Sequence, residues 1–310
     1  MIRLQSQLFY IDTSGSIIID ATKYSDARSF SSGLAAVRNS HGLYGFMNIE
    51  GREAIEPRFD EVRSFSDDLA IAVFRTSDQS VTRGFIDKTS NFILKPDFDI
   101  LYDFSEGIAV CRRHKDFFFI NKNGEITFRC QKDKLELEYF GEQKFSEGLI
   151  AAKNVETGKF GFLNKFGDFV IEPIYNNAAS FSEGLARISI IKDNRELLGF
   201  INHEGDAVIE PVFDIDFDFE KSTTGFSEGM ASLVDGTSWD LDYIYIDMKG
   251  AIVLRPKYML PGSFKSGLAV VYDEGLNTYG FIDKSGDPVI PAKYGMANSF
   301  SEGLAIVEGG

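Results

Sequence analysis

Tyr279-Gly280-Phe281-Ile282-Asp283, Lys284-Ser285-Gly286, Val289-Ile290-Pro291, Tyr294 and Phe300-Ser301-Glu302-Gly303-Leu304 together form the stretch that decides the fold. Its parts recur back to the N-terminus. The Phe-x-x-Gly element stands at Phe30, Phe65, Phe104, Phe145, Phe181, Phe226, Phe264 and Phe300. A spacing of about 40 residues is the signature of a repeat architecture. A second element follows each of these except the last: Phe46-Met47-Asn48, Phe85-Ile86-Asp87, Phe119-Ile120-Asn121, Phe162-Leu163-Asn164, Phe200-Ile201-Asn202, Tyr245-Ile246-Asp247 and Phe281-Ile282-Asp283. An eighth copy, Tyr10-Ile11-Asp12, opens the chain with no Phe-x-x-Gly before it. Phe300 to Gly303 is followed by Leu304 to Val307 and little more. One repeat is therefore divided between the two ends.

Four extended segments fit in each repeat. The first is Gly-Leu-Ala-x-Val, as in Gly33 to Val37, and the second is Gly-Phe-Ile-Asp. A turn follows, opened by Asp or Asn and ended by Gly15, Gly51, Gly124, Gly167, Gly205, Gly250 or Gly286. Gly at that place suits a left-handed residue closing a hairpin. The third segment is β-branched and is ended by Pro57, Pro96, Pro173, Pro211, Pro256 or Pro291, at a strand end or edge where no ladder donor is needed. The fourth runs from an aromatic residue (Phe59, Tyr175, Phe213, Tyr258 or Tyr294) to the next Phe. Apolar runs this short, broken by Gly and Pro, leave no room for helices.

These features predict an all-β repeat protein of eight β-meander units, each of roughly 36–45 residues. The arrangement expected is a closed β-propeller-like ring in which both termini build one unit. The alternative is an open β superhelix, which would need polar capping repeats that are not evident. Residues 1–310 read as a single repeat domain. The split repeat is 1–29 plus 300–310, and the others start near 30, 65, 104, 145, 181, 226 and 264. The third repeat is the poorest copy, with Cys130 and Gln131 where others have Pro and its neighbours. The fifth has the largest insertion, around Asp214 to Thr224.

Composition narrows the function classes. Lys and Arg number 32 against 47 Asp and Glu, a net charge of −15. Phosphate and anionic-membrane surfaces need clustered cations, so nucleic acid and membrane are not expected partners. Two cysteines, Cys111 and Cys130, cannot form a disulfide framework for 310 residues. No secretory h-region and no membrane-length apolar run is present, and the expected location is the cytoplasm.

The units resemble the WG repeat family of bacterial proteins: W-G-[FY]-I-[DN], a Gly turn, [VI]-I-x-P-x-[YF], then F-x-[ED]-G-L-A-x-V. The defining Trp is replaced by Tyr44, Arg83, Phe160, Leu198 or Tyr279, while the following Gly survives as Gly45, Gly84, Gly161, Gly199 and Gly280. The resemblance implies repeats of a kind that turn up as binding modules, and it does not imply an activity.

Candidate sites divide by whether they repeat. Glu106, Glu147, Glu183, Glu228 and Glu302, with Asp67 equivalent, recur in Phe-Ser-Glu-Gly and read as turn carboxylates accepting backbone N–H bonds. Asp12, Asp87, Asp247 and Asp283 read as turn initiators. Asp214, Asp216, Asp218 and Glu220 alternate with apolar residues and would share one strand face, open to a basic partner; a flat strand does not converge oxygens on Ca²⁺. Trp239, in the polar stretch Asp235 to Asp242, has the character of an interface anchor. His41, His114 and His203 are scattered. No phosphate loop, nucleophile elbow or zinc motif is present, so no catalytic residue, cofactor or metal site is assigned. The function expected is a non-catalytic protein-binding scaffold or adaptor that recognises or neutralises another protein, with a basic surface among the options. A hydrolase using acids in a central funnel is the alternative. Loops between first and second strands vary (Arg75 to Arg83, Lys192 to Leu197, Asp235 to Asp242, Asp273 to Thr278), and binding is expected at their end.

Overall fold

The computed structural model describes residues 7–78, 80–130, 133–137, 144–214, 224–235 and 242–309. Among them all regular structure is antiparallel strand, organised in seven sheets. The chain groups into two compact units, Met1–Pro96 with Tyr258–Gly310, and Asp97–Lys257.

In the first unit one sheet runs Asp26–Ala27, Leu34–Arg38, Tyr44–Asn48, Glu53–Phe59, and a second Glu61–Val62, Ala70–Arg75, Val81–Ile86, Phe92–Leu94. A six-stranded sheet has the order Ile17–Asp20, Leu8–Ile11, Ala305–Gly309, Pro288–Ala297, Thr278–Ile282, Ala269–Asp273. Here the two ends of the chain meet, with Leu8 opposite Glu308, Phe9 opposite Val307, Tyr10 opposite Ile306 and Ile11 opposite Ala305. Pro288–Ala297 pairs with Thr278–Ile282 through its first part and with Ala305–Gly309 through its last. It thereby serves two meanders, which is why eight sequence repeats make seven sheets.

The second unit contains Ile100–Ser105, Ile108–Arg113, Asp116–Asn121, Ile126–Cys130; then Leu135–Glu136, Ile150–Asn154, Phe160–Leu163, Phe169–Tyr175; then Asn177–Ala178, Ala186–Lys192, Arg195–Ile201, Ala207–Asp214; and last Met230–Asp235, Asp242–Asp247, Ile252–Leu254. The fold is all-β and propeller-like, as the repeats predict. Its sheet boundaries differ from the repeat boundaries. The fourth segment of one repeat, such as Glu61–Val62, hydrogen-bonds to the first strand of the next, with Val62 opposite Ala72. Each repeat is thus stitched to its successor by main-chain bonds.

The Phe of Phe-x-x-Gly is buried in all eight copies. It packs against the aromatic of the preceding second element at tilted or edge-on geometry: Tyr10 with Phe30 and Phe281 with Phe300 at 5.0 Å, Phe46 with Phe65 at 4.7 Å, Phe162 with Phe181 at 4.9 Å. Offset and edge-on rings are the favoured aromatic contacts, which accounts for Phe at every period.

Pro96 and Pro256 lie just past the third strand, beyond Phe92–Leu94 and Ile252–Leu254. The other four do not end it: Pro57, Pro173, Pro211 and Pro291 lie inside their strands, at a bulge. The pairs Tyr44–Phe59 and Phe46–Ile55 bracket it in the first repeat, so the segment around Pro57 bows out of register opposite Gly45. A Cβ on Gly45 would lie 2.4 Å from the Ile55 carbonyl oxygen, and on Gly199 2.6 Å from that of Ile209. The retained Gly is the residue that lets the bulge close onto the neighbouring strand.

Candidate partner-binding surfaces

In a meander ordered this way, the Ser-Glu-Gly turn and the Asp-x-x-Gly turn fall on one edge of each sheet. The hairpins between first and second strands fall on the other. The first edge is chemically occupied. The Ser-Glu-Gly tip is a two-residue turn with both central residues left-handed, Glu302 at φ 52° and Gly303 at 82°. This is the turn chemistry of a tight hairpin. Glu302 accepts the Gly33 N–H at 3.0 Å, Glu106 that of Gly148 at 2.9 Å, Glu147 that of Gly184 at 3.0 Å and Glu183 that of Gly229 at 2.8 Å. The serines do the same work: Ser31 donates to the Phe65 carbonyl at 2.6 Å, Ser146 to Phe181 at 2.7 Å, Ser182 to Phe226 at 2.5 Å and Ser301 to Phe30 at 2.6 Å. These carboxylates are clamps between successive repeats. His203 joins one of them, its Nε2 3.2 Å from Glu147 and its ring stacked 4.2 Å from Phe181.

Asp12, Asp87, Asp247 and Asp283, and Asn48, Asn121, Asn164 and Asn202 in the other repeats, each turn a side-chain oxygen onto backbone N–H groups of their own turn. Asp283, for instance, accepts from Ser285 at 2.8 Å and Asp287 at 3.1 Å. The Ser14 hydroxyl, with smaller backbone contributions, holds the Asp12 carboxyl below its ordinary range. Phe166 is the exposed aromatic on this edge.

The opposite edge varies. The tip between Ala186–Lys192 and Arg195–Ile201 is only Asp193 and Asn194, at φ 51° and 63°, so most of the stretch Lys192 to Leu197 is strand rather than loop. Longer tips follow Arg75, Asn154 and Asp273. Each of these four hairpins presents an aliphatic side chain to solvent: Val81 51% exposed, Val155 43%, Ile191 60% and Leu276 64%. Asp214 ends Ala207–Asp214 on this edge, opposite Leu197, and its carboxylate is 3.1 Å from the Arg195 guanidinium. Asp216, Asp218, Glu220 and Trp239 lie outside the described residues.

The third repeat holds a feature that sequence reasoning missed. A cleft of about 540 Å³ is lined by Arg113, His114, Lys115, Asp116, Phe118, Ile126 and Arg129. Phe118 occupies the position where other repeats have the close-approach Gly, and Cys130 that of the bulge Pro. Phe117–Cys130, Phe118–Arg129 and Phe119–Phe128 consequently pair in continuous register. Arg113 lies 4.6 Å from the Phe98 ring centre and 5.7 Å from that of Phe118; Arg129 lies 5.6 Å from Phe118. The Arg129 guanidinium is 2.8 Å from Asp116. The signal available in sequence was Arg112-Arg113-His114-Lys115, the one run of adjacent basic residues in the chain.

Cys111 and Cys130 are buried free thiols. Burial pushes Cys111 up to about 12 and Cys130 up to about 11. Among the described residues no group of three or more His, Cys, Asp or Glu is placed to hold a metal ion. No helix among them is long and apolar enough to cross a membrane.

Fold and turn chemistry together define a β-propeller-like repeat protein in which successive repeats within a unit are clamped together. The WG containing repeat profile matches residues 9–40, 44–74, 84–112, 160–190, 199–233 and 279–308, more than half of the chain, and the chain belongs to that family. Among solved structures, the dipeptidyl peptidase 4 of Porphyromonas gingivalis superposes with TM-score 0.52 at 10% identity, over 84% of this chain and 52% of that one, a likeness of fold alone. BamB from Moraxella catarrhalis matches with TM-score 0.49 at 12% identity, over 92% of this chain and 94% of that one. The β-propeller domain of the Trilobed protease from Pyrococcus furiosus matches with TM-score 0.48 at 10% identity, over 87% and 98%. No curated protein matches the chain.

Proposed function

We propose that the chain is a non-catalytic protein-binding scaffold whose partner docks on the hairpins between first and second strands. The observation that carries this reading is the contrast between the two edges. The Ser-Glu-Gly edge spends its carboxylates and hydroxyls on neighbouring repeats, and its uniform turns serve the fold. The hairpin edge varies in length and offers Val81, Val155, Ile191 and Leu276 to solvent. Exposed aliphatics on rigid hairpins bind by excluding water, and loops that differ between repeats are where specificity is placed without disturbing the scaffold. Asp214, Asp216, Asp218, Glu220 and Trp239 belong to segments adjoining this edge in sequence, and suit a partner with some basic surface. A cytoplasmic location fits the two reduced cysteines.

The test is affinity capture of the whole chain from its native host with identification by mass spectrometry, then comparison of variants by titration. Trp239→Ala and the double reversal Asp216→Lys with Asp218→Lys are expected to weaken binding of the captured partner at least tenfold. Glu147→Ala, on the clamped edge, is expected to leave it unchanged. Loss of binding only in folded Glu147→Ala overturns the assignment of the face. Absence of any captured partner overturns the scaffold reading.

A further inference from the structure

The fourth and fifth repeats depart from their siblings where the third segment leads into its aromatic. In other repeats the residue before the ring is a cation: Arg58 before Phe59, Lys257 before Tyr258 and Lys293 before Tyr294. Arg58 and Lys293 lie over those rings, 5.0 and 5.1 Å from their centres. Such a side chain lays its apolar stem on the surface and keeps its charge in water. The fourth repeat has Ile174 before Tyr175, and the fifth has Val212 before Phe213. Ile174 is 62% exposed and Val212 64%.

Exposure alternates along both strands, as a half-buried strand requires. Asp168, Val170, Glu172 and Ile174 face solvent on and just before Phe169–Tyr175, while Ile171 and Tyr175 are buried. Asp206, Val208, Glu210 and Val212 do the same on and just before Ala207–Asp214, with Ile209 buried. One face of each strand therefore reads carboxylate, aliphatic, carboxylate, aliphatic, without Lys or Arg. The corresponding positions in the other Pro-bearing repeats include Arg52 and Arg58, Lys95, Arg255 and Lys257, and Lys293. The two strands belong to one compact unit and meet through the turn between them. The Tyr175 hydroxyl donates to the Gly205 carbonyl at 3.3 Å, and a Cβ on Gly205 would lie 3.3 Å from Ile171 Cγ2. Asp168 accepts the Asn164 amide at 3.5 Å, whereas Glu172, Asp206 and Glu210 form no ion pair among the described residues.

We propose that these two strand faces dock a basic segment of a partner protein, in which Lys or Arg alternates with aliphatic residues. Aliphatic side chains of the segment cover Val170, Ile174, Val208 and Val212 and take them out of water. Its cations meet Glu172, Asp206 and Glu210, which fixes the sign of the partner. The same face of a second copy would set carboxylate against carboxylate. A nucleic acid or an anionic lipid surface would be repelled as well. A metal ion fits no better: aliphatic residues separate the carboxylates, and among the described residues no three metal-ligating side chains converge. The surface consists of strand faces, whereas the scaffold reading places its partner on hairpin tips, so either can hold without the other.

The probe is a fluorescein-labelled synthetic peptide, Lys-Val-Lys-Val-Lys-Val-Lys, titrated into the whole chain by anisotropy at physiological salt, with hydrogen–deuterium exchange of the complex. Expected are saturable binding and slowed exchange within residues 168–175 and 206–214. Ile174→Lys with Val212→Lys, which installs the residue type of the sibling repeats, is expected to bind at least tenfold more weakly. Ile174→Ser with Val212→Ser leaves the charge unchanged and is expected to weaken binding severalfold; this pair carries the test should the Lys pair unfold. A Lys-Ser-Lys-Ser-Lys-Ser-Lys peptide is expected to bind the parent at least tenfold more weakly. Val289→Lys, in the seventh repeat, is expected to change nothing. No binding, equal binding of the serine peptide, binding indifferent to the Ser pair, or slowed exchange only outside 168–175 and 206–214 each overturn the proposal. The scaffold reading survives those outcomes and fails only when native capture yields no partner.

Discussion

The Glu302 carboxylate accepts the backbone N–H of Gly33 at 3.0 Å, across 269 positions of sequence. Neighbouring Ser301 donates its hydroxyl to the Phe30 carbonyl at 2.6 Å. The same two bonds join other successive repeats, such as Glu147 to Gly184 and Ser146 to Phe181. The junction between the chain's ends is therefore chemically an ordinary inter-repeat junction, to which Leu8–Ile11 and Ala305–Gly309 add a strand pairing.

That equivalence predicts similar penalties at distant junctions. Ser301→Ala and Ser182→Ala each remove one donor to a neighbouring carbonyl, and each is expected to cost about 1 kcal/mol. Urea denaturation checks this. Removal of residues 303–310 deletes the strand opposite Leu8–Ile11 and is expected to lower the melting temperature far more than either point change, with exchange at Tyr10 and Ile11 becoming fast.

Steric crowding at the bulge makes a second prediction. Gly199→Ala puts a Cβ 2.6 Å from the Ile209 carbonyl oxygen and 2.8 Å from the Pro211 nitrogen. Overpacking against backbone costs about 1–3 kcal/mol. Gly107, at φ 81° with open space around the missing Cβ, should lose only the left-handed strain on mutation to Ala, about 1 kcal/mol. Equal losses in the two variants would remove the close-approach explanation for the Gly.

The aromatic ladder predicts the largest single losses. Phe181→Ala takes a buried ring from contact with Phe162 and His203 and is expected to cost about 3–5 kcal/mol. Loss below about 1 kcal/mol in a two-state denaturant titration would contradict the role given to the repeated Phe.

The buried thiols set an alkaline limit. Cys111 is raised from 9.0 to about 12 and Cys130 from 9.0 to about 11, by burial. Folding therefore favours the protonated thiol. This part of the stability is complete below about pH 9 and is lost as pH rises towards 11 and 12, because the unfolded chain ionises first. Burial raises the Tyr10 and Tyr245 phenols in the same direction. Stability measured from pH 7 to 11 should fall above about 9, and an aromatic disulfide reagent at pH 8 should titrate both thiols only in denaturant.

Much of this was legible in the sequence. The repeating Phe announced the period, the divided repeat announced pairing between the ends, and recurrence itself marked Glu147 and Asp283 as parts of the fold. What escaped depends on register. Glu61–Val62 reads as the end of one repeat, yet its hydrogen bonds lie in the next sheet, a choice made by twist and packing after the chain has turned. Pro57 looks like a terminator until Gly45 is seen across the ladder, making room for the bulge. The basic run Arg112 to Lys115 and the Phe118 substitution are both plain in the sequence, but only pairing of Phe118 with Arg129 brings them to one cleft.

The division of labour between the two edges is tested most directly by hydrogen–deuterium exchange of the whole chain, alone and saturated with the partner captured from its native host. The account predicts slowed exchange at the hairpin tips 76–78, 155–159, 193–194 or 274–277, with residues 31–34, 146–149 and 182–185 unchanged. Slowed exchange confined to those Ser-Glu-Gly turns would contradict it.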